Sequence, residues 1–233
     1  KEDALSQRLA RAKRQLRKQS GDLARYPTRF ALKDRLPRLL KVIYLRVAWG
    51  YLPRRGDVVF RDELCREAIR LSEGLLAQTD GETAGHHALH ALLLFQAARL
   101  PARATEDNTL VPLDQQTRAD WDKAMIADAF AQMEAAQSSP DLTRYHLEAG
   151  IASIHAQSTT WEATDWGSIA RLYTLLDRHA PSLAVSVNRA VSLIYTGERA
   201  HATDILAGLK DHRGAAPARS LHPLRTISRV RLT

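Results

Sequence analysis

A single cysteine, Cys65, is all the thiol chemistry that this 233-residue chain offers. No internal disulfide can form, nothing points to an oxidising compartment, and Cys65 is expected as a small buried apolar residue. Long apolar runs are missing too. The longest, around "HALLLF", is far below the roughly 18 residues a membrane span requires. No signal-peptide pattern opens the chain, so a cytoplasmic protein is expected. GxSxG, Walker, GxGxxG and CxxC motifs are all absent from the sequence, which removes the usual nucleophile elbows and phosphate cradles. The expectation is therefore no enzyme, no cofactor and no metal.

What is present is a hydrophobic fraction of 45%, enough for a buried core, and a charge distribution that divides the chain. Residues 1–61 hold 17 Lys/Arg against 5 Asp/Glu, residues 62–209 hold 11 against 20, and residues 210–233 hold 6 against 1. A basic start followed by an acidic body fits a nucleic-acid contact joined to a separate domain, because Lys/Arg clusters supply the sequence-independent part of DNA affinity.

The opening "KEDALSQRLARAKRQLRKQ" reads as a helix from Glu2 to Gln19. Leu5, Leu9, Ala12 and Leu16 gather into one apolar stripe at 100° per residue, whereas Gln7, Arg11, Arg14 and Lys18 fall on the opposite side. Acids in the first turn and cations in the last follow the helix dipole. The stripe is expected to pack and the basic face to look outward. A linker over 21–34, containing Pro27, follows.

From Asp34 the period is helical almost throughout, with helices expected near 35–52, 60–79, 84–99, 118–137, 141–157, 165–179, 182–196 and 198–209. Asp34, Asp57 and Thr164 are placed as N-caps, Pro181 in a first turn and Gly197 at a C-terminal cap. "PARATEDNTLVPLDQQ" reads as a small hairpin. Consecutive helices with short loops imply an all-α fold of stacked antiparallel pairs. Small residues Ala170, Ala184, Ala190 and Ala202 among larger ones suggest close helix approach, as in an irregular tetratricopeptide-like solenoid. The final stretch, 210–233, has two prolines, scattered arginine and no sustained period.

His86 and His90 stand four apart in "GHHALH", a zinc-helix spacing. A metalloprotease would need Glu where His87 stands and no third ligand follows, so a half-exposed, partly packed helix is the better reading. Trp49, Trp121, Trp161 and Trp166 are expected as core anchors, with a ligand cage second. His155 and Asn188 are expected as hydrogen-bonded residues between stacked helices.

"ALSQRLARAKRQLR" resembles the end of region 4 in extracytoplasmic-function (ECF) sigma factors, where a helix-turn-helix recognition helix ends in an RLxRAxxxL-type run; Arg8, Leu9, Arg11, Ala12, Lys13 and Leu16 fit it. "LLKVIYL", "RDELCREAIRL", "LFQAARLPAR", "LDQQTRADWDKAMI", "HLEAGIASIHA", "TDWGSIARLYTLL" and "APSLAVSVNRAVSL" are similar, in order and spacing, to the carboxy-terminal extension of the group that carries a tetratricopeptide-like domain. Together these stretches cover about residues 4 to 209. Two departures stand out. Ala48, Trp49, Gly50 and Tyr51 replace an "NEGY" run, and the sequence after Lys210 leaves the repeat pattern.

The resemblance implies a division into 1–20, the end of sigma region 4; 21–34, a linker; 35–209, the helical extension; and 210–233, a basic tail. It also implies that the chain is the later part of a sigma subunit whose partners are promoter DNA and the RNA polymerase core. The first helix would enter the major groove of the −35 element, with Glu2, Asp3, Ser6 and Gln7 reading bases and Arg8, Arg11, Lys13 and Arg14 holding phosphates; Arg8 could serve either role. The acidic body would bind a regulatory protein or contact the polymerase, and could hold the basic helix off DNA. The alternatives are a helical-repeat interaction scaffold with no DNA role and a metal-dependent enzyme built on His86, His87 and His90.

Overall fold

The computed structural model describes residues 2–18, 29–50, 62–79, 83–105 and 109–211. Among them are nine α-helices: α1 (Glu2–Lys18), α2 (Arg29–Gly50), α3 (Asp62–Gln78), α4 (Ala84–Ala98), α5 (Lys123–Ala135), α6 (Arg144–Gln157), α7 (Trp166–His179), α8 (Leu183–Tyr195) and α9 (Arg199–Asp211). No strand occurs among the described residues, and the all-α helical-repeat expectation holds. Asp57, residues 21–28 of the expected linker and residues 212–233 of the tail lie outside the described residues.

The chain divides into two compact units, Lys1–Pro37 and Arg38–Thr233. The boundary falls inside α2, at Pro37, which has no N–H to return to the carbonyl of Lys33. The expected linker to residue 34 is corrected here, and so is the N-cap at Asp34, because α2 begins at Arg29. Leu32, Leu36, Leu40, Ile43, Tyr44 and Val47 are all buried, so one apolar stripe at i, i+4, i+8, i+11, i+12 and i+15 carries the helix upstream of Asp34.

Within the second unit, α4 is central and packs against α3, α5 and α6. Thirteen of its fifteen residues are buried, which corrects the half-exposed reading of "GHHALH". A helix apolar on every side has no solvent face to offer, so its period carries little amphipathic signal. Phe95 on α4 meets Phe130 on α5 edge-on at 5.1 Å. The expected continuous helix over 118–137 is instead a 3-10 turn, Arg118–Asp120, a break at Trp121 and Asp122, and α5. Asp122 caps α5 by accepting the Met125 N–H at 2.9 Å.

Helices α6 to α9 then stack in order, each on the next. Leu147 and Ile151 of α6, Ile169, Tyr173 and Leu176 of α7 and Val185 of α8 form one core cluster. Ala170, Ala190 and Ala202 form another with Leu193, so small side chains do lie where α7, α8 and α9 meet; Ala184 is only half-buried. The expected hairpin reduces to one antiparallel bridge, Ala104 to Leu110, with the Val111 N–H donating to the Arg103 carbonyl at 2.8 Å.

Two caps move by a residue. Asp165, not Thr164, caps α7 by accepting the Ser168 N–H at 2.9 Å, because the Thr164 hydroxyl is engaged by Arg118. Ser182 caps α8, so Pro181 precedes the cap instead of entering the first turn. Gly197 ends α8 as expected, with φ of 89°. The Glu198 N–H donates to Leu193 O at 2.9 Å and the Gly197 N–H to Ile194 O at 3.1 Å, the paired bonds of a Schellman ending. Gly197→Ala should cost about 1 kcal/mol, because an added Cβ strains the left-handed backbone; urea unfolding of the chain and the variant measures it.

Candidate functional site

Helix α1 carries the residues assigned to DNA. Ser6, Gln7, Arg8, Arg11, Lys13 and Arg14 are all exposed. Gln7, Arg11, Arg14 and Lys18 recur at spacings of four, three and four and so share one face within roughly 60°. Arg8 flanks that face on one side and Ser6 and Lys13 on the other, at about 100° to 120°. Arg17 and Lys18 close the last turn, adding cations at the end the dipole makes negative. The side chains of Glu2, Asp3, Leu5, Leu9 and Leu16 lie outside the described residues. Ala12, expected on the packed stripe, is exposed; its small methyl side chain gains little from burial.

The histidines of α4 are tied into the core. His86 Nε2 lies 3.1 Å from the Ser72 carbonyl and His90 Nδ1 lies 3.0 Å from Ser72 Oγ, so one serine of α3 engages two imidazoles of α4. His87 Nδ1 reaches Gln132 Oε1 on α5 at 2.7 Å. Burial pushes His86 down to about 4 and lowers His90 as well. His87 faces a different partner from the other two rings, and no group of three or more His, Cys, Asp or Glu that could hold a metal ion occurs among the described residues.

A buried polar link joins α2 to α6. Glu148 is fully buried. Its Oε1 accepts from Arg144 Nη2 at 2.8 Å, from Arg144 Nε at 3.1 Å and from the Tyr44 hydroxyl at 3.2 Å. The Arg144 guanidinium also lies over the Tyr44 ring, 4.8 Å from its centre. Burial, then the Glu148 charge, raises the Tyr44 pKa far above the ordinary value, so the phenol stays protonated and donates.

Between α6, α7 and α8 lies a small pocket of about 260 Å³, solvent at its mouth included, lined by His155, Trp161, Trp166, Tyr173, Asn188 and Val191. Trp166 stacks on Tyr195 with ring centres 4.3 Å apart and planes at 18°. Trp161 stands across both, at 67° to Trp166 and 83° to Tyr195. His155 lies beneath, parallel to Trp161 at 5.9 Å. Asn188 hydrogen-bonds Tyr173, as a structural residue should. His155 departs from expectation: it is buried, yet its Nδ1 makes no hydrogen bond. Burial, then the charges of Arg99 and Arg118, push its pKa down to about 3. Trp161 and Trp166 are only half-buried, so the core-anchor reading holds for Trp121, at 3% exposure, and not for them. The Trp49 side chain lies outside the described residues.

The loop that carries the pocket is held by Arg118, which sequence reasoning missed. Its guanidinium donates to the carbonyls of His155 and Ser158 and to Thr164 Oγ1, satisfying the carbonyl end of α6. Arg99 and Arg118 both lie over the Trp121 ring, at 5.4 and 5.0 Å. The stretches "LFQAARLPAR" and "LDQQTRADW" contain these residues, but nothing local in them reveals partners some 40 positions away.

Neutral buried imidazoles make stability depend on pH. Both His86 and His155 have folded pKa values below the ordinary 6.5, so the unfolded chain binds protons more readily, and stability present above pH 6.5 is lost as pH falls toward about 4 and about 3. Urea midpoints should drop more steeply between pH 6.5 and 4 for the parent chain than for His86→Gln; equal slopes would contradict the assignment.

Residues 35–137, from α2 through α5, match a family described as a family of unknown function, DUF6596. A protein of Rhizobium meliloti (strain 1021), described as uncharacterized, is 36% identical over 194 residues, which cover 82% of this chain and 45% of that protein. The chain thus spans less than half the length of this relative. No solved structure matches it significantly. Among the described residues, no helix is long and apolar enough to cross a membrane.

Proposed function

We propose that the chain is the later part of an ECF-type sigma factor, a non-catalytic protein that brings the RNA polymerase core to promoters. Helix α1 reads the −35 element through Gln7 and its neighbours, with Arg8, Arg11, Lys13 and Arg14 on phosphates. The helical-repeat body contacts a regulatory protein or the polymerase. The observation that carries this reading is the exposed cationic face of α1. Two further observations support it: the matched family is commonly found as a carboxy-terminal domain in sigma-70-like factors, and the relative is much longer than this chain.

Four phosphate contacts imply a slope of log affinity against log salt of about −3.5, and a loss of about a hundredfold in affinity between 50 and 200 mM salt. A salt titration of the whole protein on its promoter tests this. One observation favours a second reading, an interaction scaffold without a DNA role: the half-open aromatic pocket of α6 to α8. That reading expects no promoter affinity at any salt concentration.

A further inference from the structure

The pocket of α6 to α8 combines an aromatic corner with donors that the protein itself leaves unused. Trp166 makes one wall, with Tyr195 stacked on it outside the lining, and Trp161 the other, nearly perpendicular. Tyr195 is 39% exposed. Neither indole N–H, of Trp161 or of Trp166, donates a hydrogen bond within the described residues, and neither is shut away from solvent. A second unpartnered group lies deeper: His155, 8% exposed, with its Nδ1 making no hydrogen bond.

Three kinds of occupant are distinguished by these facts. A cation held by aromatic faces alone is disfavoured, because no carboxylate lines the pocket and the charges of Arg99 and Arg118 already bear on His155. A flat ring sandwiched between His155 and Trp161 needs about 7 Å, twice the usual stacking contact, and their centres are 5.9 Å apart. A pyrrolidine ring needs no sandwich and seats in an aromatic corner. A proline-rich strand in the polyproline II form carries solvated carbonyls with no internal hydrogen bonds and few N–H groups, so it brings acceptors to a groove whose two indole N–H groups lack them. Its low entropy before binding adds to the match.

We propose that the corner formed by Trp161 and Trp166, with Tyr195 stacked on Trp166 as its support, is a docking groove for a proline-rich segment of a partner protein, with the two indole N–H groups donating to its backbone carbonyls. This names the site and the partner class for the body's protein contact, and so rests on that part of the proposed function; it is independent of the DNA contact of α1.

The test is a titration of the ¹⁵N-labelled chain with deca-L-proline, followed by the indole N–H signals. Those of Trp161 and Trp166 should move with a saturable dependence while that of buried Trp121 stays. Tyr195→Ala, which removes the ring stacked on Trp166, should weaken binding about tenfold. Tyr195→Leu, which keeps apolar bulk, should weaken it as well. A glycine-serine decapeptide and tetramethylammonium should leave the signals in place. Silence with deca-L-proline at millimolar concentration, an equal response to glycine-serine, or a response to tetramethylammonium alone would each overturn the proposal. Because no DNA enters the measurement, such a failure leaves the reading of α1 intact.

Discussion

Replacing Arg11 and Arg14 together by alanine in the whole protein should lower promoter affinity about a hundredfold, as two charge-assisted phosphate contacts are removed. The salt slope should shrink by about 2, one for each phosphate no longer neutralised. The effect should be uniform across promoter variants, since phosphates carry no sequence. Gln7→Ala should instead cost less affinity on the preferred promoter and narrow the gap to mismatched ones, because it removes a base-edge hydrogen bond and no charge. All three side chains are exposed on α1, so these substitutions remove surface groups and should leave the unfolding midpoint in place. A pair of substitutions that left affinity and slope unchanged would show that the face does not touch DNA.

Arg144→Met should have the largest effect on folding, about 3 kcal/mol by urea unfolding at pH 7, the low end of the range for breaking a buried ion pair. The low end applies because the Arg144 side chain is 31% exposed while that of Glu148 is fully buried. The guanidinium supplies two of the three hydrogen bonds described at Glu148 Oε1, and its removal leaves a carboxylate in a low-dielectric site without that charge beside it. The double replacement Arg144→Met with Glu148→Leu should recover most of the loss, since neither charge then has to be desolvated. A single variant within 1 kcal/mol of the parent would show that the link contributes little. The same link fastens Tyr44 of α2 to α6, so the single variant should also speed hydrogen exchange in the carboxy-terminal half of α2.

Local pattern makes some of this legible and leaves the rest hidden. Helices α6 to α9 follow from a 3.6-residue period, and Gly197 follows from the left-handed backbone it alone tolerates without strain. The start of α2 is obscured because turn residues around Pro27 and Asp34 outweigh the short Leu32, Leu36 repeat. Helix α4 misleads for a different reason. With thirteen residues buried it has no polar face, and a pair of histidines four apart resembles a surface feature until Ser72 is seen between them. The pocket is the least legible of all. Trp161 and Tyr195 are 34 positions apart and Arg118 reaches Thr164 across 46; such pairings are made by tertiary packing and leave no periodic trace. Helix α1 is the opposite case, since nine exposed polar side chains on one 17-residue helix follow directly from spacing.

The most direct measurement is photocrosslinking from a benzoylphenylalanine placed at Gln7, in the complex of the whole protein with RNA polymerase core and its promoter. If the outward side of α1 lies in the major groove, the crosslink maps to base pairs of the −35 element and vanishes with competing duplex of the same sequence. A crosslink that instead joins Gln7 to the protein's own helices, with the −35 element untouched, would contradict the account.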